Sequence, residues 1–64
     1  MANLTKYELA GKVDPRVYEI FEDRLEGCDQ EKQDKVLARI EVLNNQGKSL
    51  QRAMADALQE FKLS

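Results

Sequence analysis

Three stretches of this chain repeat their apolar residues at the period of an α-helix, and a capping residue stands before each. Val17, Ile20, Phe21 and Leu25 follow Asp14-Pro15. Val36, Leu37, Ile40 and Leu43 follow Asp29. Leu50, Met54, Ala57, Leu58 and Phe61 follow Ser49, with Ala53 beside them. A stripe of this kind buries one side of a helix and leaves the other side to water. Asp and Ser side chains accept the orphan N–H groups of a first helical turn, and proline fits the first helical position, where no N–H is needed. No stretch alternates apolar and polar residues with the period of two that a strand requires. The spacing predicts helices over 15–26, 30–46 and 50–62.

A shorter helix is expected before them. Thr5 and Glu8 have the spacing of a capping box, and Leu4 and Leu9 that of a hydrophobic staple. Gly11 can take the left-handed conformation that ends a helix, which predicts a helix over 6–10. Val13 and Tyr18 form a second possible staple, and Gly27 and Gly47 are the expected stops of the next two helices. The expected fold is all-α: one domain over 1–64, a small compact bundle of three main helices preceded by the short one. Connections of a few residues favour antiparallel neighbours.

A chain of 64 residues buries only about 60% of the surface its unfolded form exposes, so its core is small. Small domains usually add a staple. Cys28 is the only cysteine and there is no histidine, which rules out an internal disulfide and disfavours a structural zinc. Unusually good helix packing or self-association remains, and self-association, most simply as a homodimer, is the expected device. Ala38 and Val42 form a second, weaker apolar strip on the third helix, either the edge of a wide core face or an oligomer seam. Ala53, Ala55 and Ala57 would let the last helix approach a neighbour closely.

Charge limits the partners. Ten basic and twelve acidic residues give a net charge of -2, unlike the strongly basic domains that bind nucleic acid. Apolar runs are far too short to span a membrane, and Met1 to Lys6 lack the apolar stretch of a signal peptide. A lone thiol without an export signal fits a reducing cytoplasm.

The charges are also segregated. Residues 14–34 hold eight acids and three bases, whereas 35–64 hold five bases and three acids. Glu19, Glu22, Asp23 and Glu26 recur at i, i+3, i+4 and i+7, which places four carboxylates on one helix face. Like charges at that spacing repel. The face is therefore either solvated, with partial neutralisation by Arg16 and Arg24, or a docking surface for a basic partner. Lys32, Lys35 and Arg39 form a basic stripe on the next helix that can pair with those acids within or between chains. Lys48 and Arg52 open the last helix, where the helix dipole disfavours cations, and with the free N–H groups there they can hold an anion. Lys32, Lys35, Arg39, Lys48 and Arg52 together make the alternative, nucleic-acid-binding surface.

Catalysis finds little support. Cys28 lacks the histidine that normally activates a thiol, and a half-buried packing role is expected for it. Carboxylates from one rigid helix cannot wrap a calcium ion, and no calcium-binding loop is present. Gly47-Lys48-Ser49 looks like the end of a phosphate-binding loop, but the required earlier glycine is Val42, inside an expected helix. No cofactor and no metal are expected.

The run from Leu43 to Ala53, a leucine-bearing helix that turns at Gly47 into a second helix opened by Ser49, resembles two families. It is similar to resolvase-type helix-turn-helix modules, which implies a recognition helix beyond it; the chain closes at Ser64 without one. It also resembles the helical hairpin of the exodeoxyribonuclease VII small subunit, without that family's later glycine. Neither resemblance assigns a family. The expectation is a non-enzymatic cytoplasmic interaction protein: a regulator or inhibitor of bacterial or phage type that docks on another protein through Glu19, Glu22, Asp23 and Glu26. The alternative is a dimeric subunit of a nucleic-acid-processing assembly.

Overall fold

The computed structural model describes residues 4–63 and contains four helices: α1 (Lys6–Lys12), α2 (Pro15–Leu25), α3 (Gln30–Asn45) and α4 (Leu50–Glu60). Each begins at the expected cap. Thr5 Oγ1 accepts from Glu8 N at 3.2 Å, Asp14 Oδ1 from Arg16 N at 2.8 Å, Asp29 Oδ1 from Lys32 N at 2.8 Å and Ser49 Oγ from Arg52 N at 3.2 Å. Start signals are local chemistry, which is why the sequence shows them directly.

The helix ends differ in instructive ways. α1 runs through Gly11 to Lys12, two residues past the expected stop. Pro15 is the reason: proline forces the residue before it out of the helical region. Asp14 is accordingly extended, as is Val13, so the helix continues until it reaches them. α2 ends at Leu25, just before Gly27, but Gly27 does not adopt a positive φ. Its free carbonyls are met from α3, where the Gln33 side chain donates to Cys28 O at 3.0 Å and to Leu25 O at 3.4 Å. Cys28 itself is half-buried.

α3 closes as the sequence predicts. Gly47 has φ +103°, Gly47 N donates to Asn44 O and Lys48 N to Leu43 O, the pairing that satisfies the last carbonyls of a helix. α4 ends two residues short of the expected boundary through the same device, with Lys62 in the left-handed position at φ 59°. Lys62 N donates to Gln59 O and Leu63 N to Leu58 O, and Leu63 packs onto the core. At Gly47 an added Cβ meets nothing within 4 Å, so a substitution there costs backbone strain alone. Gly47→Ala is expected to lose about 1–2 kcal/mol, the left-handed penalty of an L-residue, read as a lower urea midpoint at unchanged slope.

All four helices contribute to one core. Leu9, Phe21, Leu25, Val36, Ile40, Ala53, Met54 and Ala57 are almost wholly enclosed, with Leu37, Leu43 and Leu58 at its margin. The predicted staple partners Leu4, Val13 and Tyr18 pack against it, and the Tyr18 and Phe21 rings meet at 6.4 Å in a tilted pair. α3 and α4 share the principal interface, while α2 rests on α4 and α1 on α2 more lightly. Arg39 of α3 meets Glu60 of α4 across the turn at Gly47, so the two helices run antiparallel. Ala53 and Ala57 are buried in α4 as expected, and Ala55 is exposed.

One position departs from the expected core. Ile20 is 59% exposed. Taking about 100° per residue from Phe21, Val17 lies at about -40°, Leu25 at about 40°, and Ile20 at about -100°. It shares the i, i+3, i+4 spacing but sits at the shoulder of the buried face. Ala38 and Val42 are likewise on the outside of α3, which removes the core-edge alternative for that strip.

Candidate functional site

The acidic face is built by the periodicity of α2. With Phe21 and Leu25 turned into the core, Glu19, Glu22, Asp23 and Glu26 fall on the opposite side, and all four are exposed. Among the described residues none of them lies within ion-pair distance of a cation, although Arg16 and Arg24 share the helix. The four carboxylates, with Lys6, Arg16, Ile20, Leu25 and Gln33, line an open hollow of about 690 Å³. Gln33 contributes a buried Oε1 with no hydrogen-bond partner, because its Nε2 is committed to the end of α2. Burial first, and then the adjacent Glu22 carboxylate, pushes the Tyr18 hydroxyl above its ordinary pKa.

The basic residues are arranged differently. Arg39 makes a two-pronged pair with Glu60, at 2.9 Å from Nε and 3.2 Å from Nη2. Lys48 Nζ lies 2.7 Å from Asp56 Oδ2, and Arg52 Nε lies 3.6 Å from Asp56 Oδ1. Lys35 Nζ is 3.6 Å from Glu31 Oε1. Only Lys32 of the five has no carboxylate partner among the described residues, and the hollow it lines with Lys35 also holds Asp29 and Glu31. The hydrogen bond from Lys48 holds the Asp56 carboxyl below its ordinary pKa; desolvation opposes this, and the charges of Lys48 and Arg52 assist it. A lowered folded-state pKa means that this carboxylate stabilises the fold at neutral pH and that the gain is lost as pH falls through the lowered value. At the start of α4, the cations expected to hold an anion are therefore turned onto Asp56, which also offsets their unfavourable place at a helix N-terminus. The basic stripe on α3 does not neutralise the acidic face within the chain; its partners are Glu31 and Glu60.

A second surface was not visible in the sequence. Val17, Ile20 and Phe21 of α2 face Met54, Ala55 and Leu58 of α4 around a hollow of about 200 Å³, in which Gln51 is the one polar lining residue. Ile20 belongs to both hollows and joins the apolar groove to the acidic one. The angular position of Ile20 on the helix was the available signal. The depth of the groove depends on how α4 crosses α2, which no local pattern encodes.

Among the described residues no helix is long and apolar enough to cross a membrane, and no group of three or more carboxylates and thiols is placed to hold a metal ion. No known protein family, curated protein or solved structure matches the chain.

Proposed function

We propose that this chain is a non-enzymatic docking module of the cytoplasm, a small regulator or inhibitor that binds a basic surface of another protein through Glu19, Glu22, Asp23 and Glu26. The asymmetry of the ion pairs carries this reading. Four carboxylates on one rigid helix stand exposed and unpaired, whereas four of the five cations on the rival surface are engaged with acids of the same chain. An uncompensated patch keeps its long-range field, and such fields steer association and select partners of opposite charge. The same ion pairs count against a nucleic-acid surface, since a paired arginine or lysine must break its contact before it can neutralise a phosphate. Self-association through Ala38 and Val42 is a separate part of the proposal, compatible with their exposure on α3.

The test compares the wild-type chain with the variant carrying Lys at 19, 22, 23 and 26 in affinity capture from bacterial lysate, with and without nuclease. The expected result is a stoichiometric protein that survives nuclease and binds the variant at least tenfold more weakly, a loss of about 1.4 kcal/mol or more. Circular dichroism checks that the variant remains helical, as its exposed positions imply. Retention of the same protein by the variant, or recovery of nuclease-sensitive material alone, would overturn the reading.

A further inference from the structure

We infer that the outer face of α3 is the seam of a parallel homodimer, each α3 lying beside its copy with Ala38 against Ala38 and Val42 against Val42. The inference rests on self-association through those two residues, is independent of the acidic face, and fixes the direction of the pair. Glu31, Lys35, Ala38, Val42 and Asn45 follow one another at intervals of four, three, four and three residues, the spacing of a two-stranded coiled-coil seam. All five are exposed. Ile40 is wholly buried, and at about 100° per residue Ala38 and Val42 lie about 160° to either side of it. α3 thus turns one periodic face into its own bundle and leaves a second one open to solvent. Val42 is 44% exposed there, and Ala38 is small enough to let two helices approach closely. The 16 residues of α3 span about 24 Å, just over two heptads.

Charge selects a second copy and its direction. Measured from Ile40, Asp34 and Glu41 fall at about 120° and 100°, on one edge of the strip. Lys35, Arg39 and Lys32 fall at about -140°, -100° and -80°, on the other. A parallel pair sets the acidic edge of each helix against the basic edge of its copy, at both edges by symmetry, whereas an antiparallel pair sets like edges together. In the parallel register Asp34 of one chain meets Arg39 of the other, five residues on. Neither group gives up a bond to do so. Asp34 Oδ1 accepts from Gln30 at 2.9 Å and leaves Oδ2, while Arg39 holds Glu60 through Nε and Nη2 and leaves Nη1. Glu41 has no cation within ion-pair distance among the described residues. Lys35 stands close to the seam itself, with its Nζ 3.6 Å from Glu31 Oε1, and polar residues at such positions fix register at some cost in stability. A strip with opposite charges on its two edges is complementary to itself, and a second subunit is a usual staple for a core this small.

The test uses the full chain. Sedimentation equilibrium should show a concentration-dependent dimer, and Val42→Glu, a change at an exposed site that leaves the fold intact, should abolish it. Asp34→Lys should raise the dissociation constant about fivefold or more, because two symmetric pairs are reversed together. In an antiparallel pair the same change would relieve repulsion and tighten the dimer. Direction is read separately by cross-linking. Cys28→Ser removes the native thiol, and Ala38→Cys, Val42→Cys or Ile20→Cys is then added singly. Ala38→Cys and Val42→Cys should each close a disulfide between chains on mild oxidation, and Ile20→Cys should not. The bond needs Cα atoms within about 7 Å, and an antiparallel pair brings at most one of positions 38 and 42 opposite itself. A chain that stays monomeric at millimolar concentration overturns the inference together with the self-association on which it rests. A dimer that Asp34→Lys tightens, or that cross-links only in mixtures of Ala38→Cys with Val42→Cys, overturns the parallel direction and leaves the seam standing. A dimer cross-linked through Ile20→Cys and untouched by Val42→Glu overturns both, because the groove between α2 and α4 is then the interface.

Discussion

Phe21→Ala is expected to remove about 3–5 kcal/mol, the usual cost of emptying a phenylalanine site in a core. Phe21 is the largest side chain fully enclosed in the bundle, at 1% exposure, and it belongs to the single core of the four helices. At about 0.05–0.15 kcal/mol per residue, a chain of 64 residues has a total stability of about 3–10 kcal/mol. The substitution therefore consumes much or all of it. Urea titration followed by far-ultraviolet circular dichroism should show a large fraction unfolded in buffer, or a midpoint near zero denaturant. The neighbouring Ile20→Ala is the control: its exposed site should cost under about 1 kcal/mol, within the range of surface changes. Equal losses at the two positions would mean that the helix is rotated from the orientation described.

Ala57→Leu and Ala53→Leu are expected to cost about 1–3 kcal/mol each by overpacking. Both alanines have 0% exposure in α4, the helix that forms the principal interface with α3. A leucine at either site must push the helices apart or take a strained rotamer. Ala55→Leu lies between them in sequence but on the exposed rim of the groove, and it should be nearly neutral. Thermal melts of the three variants separate these outcomes, since 1 kcal/mol moves the midpoint of a domain this size by about 4–8 °C. A loss at Ala55 as large as at Ala57 would contradict the packing.

Local chemistry explains which parts of the molecule were legible beforehand. Thr5, Asp14, Asp29 and Ser49 cap their helices through bonds spanning two or three residues, and such bonds form wherever the chain is helical. The stripe of Val36, Leu37, Ile40 and Leu43 is buried because the period of a helix leaves it no other side. Exposure of the four carboxylates of α2 followed from the same geometry. Their lack of partners did not, because the competing cations are drawn off by acids eight to 21 residues away or in the adjacent turn, and those approaches exist only after the helices have packed. The continuation of α1 through Gly11 had a local cause in Pro15, but glycine there permits both a helix and a stop. Ile20 was misplaced because spacing alone ignores its angle to Phe21.

The order in which the core is assembled has a consequence during synthesis. Phe21 shares a hollow with Met54 and Leu58 of α4, and that helix rests on α3. On a ribosome, α1 and α2 emerge first, with only their own light contact to cover Leu9, Phe21 and Leu25. At about 5–20 residues per second, the stretch from Phe21 to Leu58 takes roughly 2–7 s to appear. For that interval the nascent chain presents its apolar face to whatever meets it at the tunnel exit, and only the arrival of the α3–α4 hairpin closes it. The element that carries the acidic face is thus made before the helix that covers its apolar side.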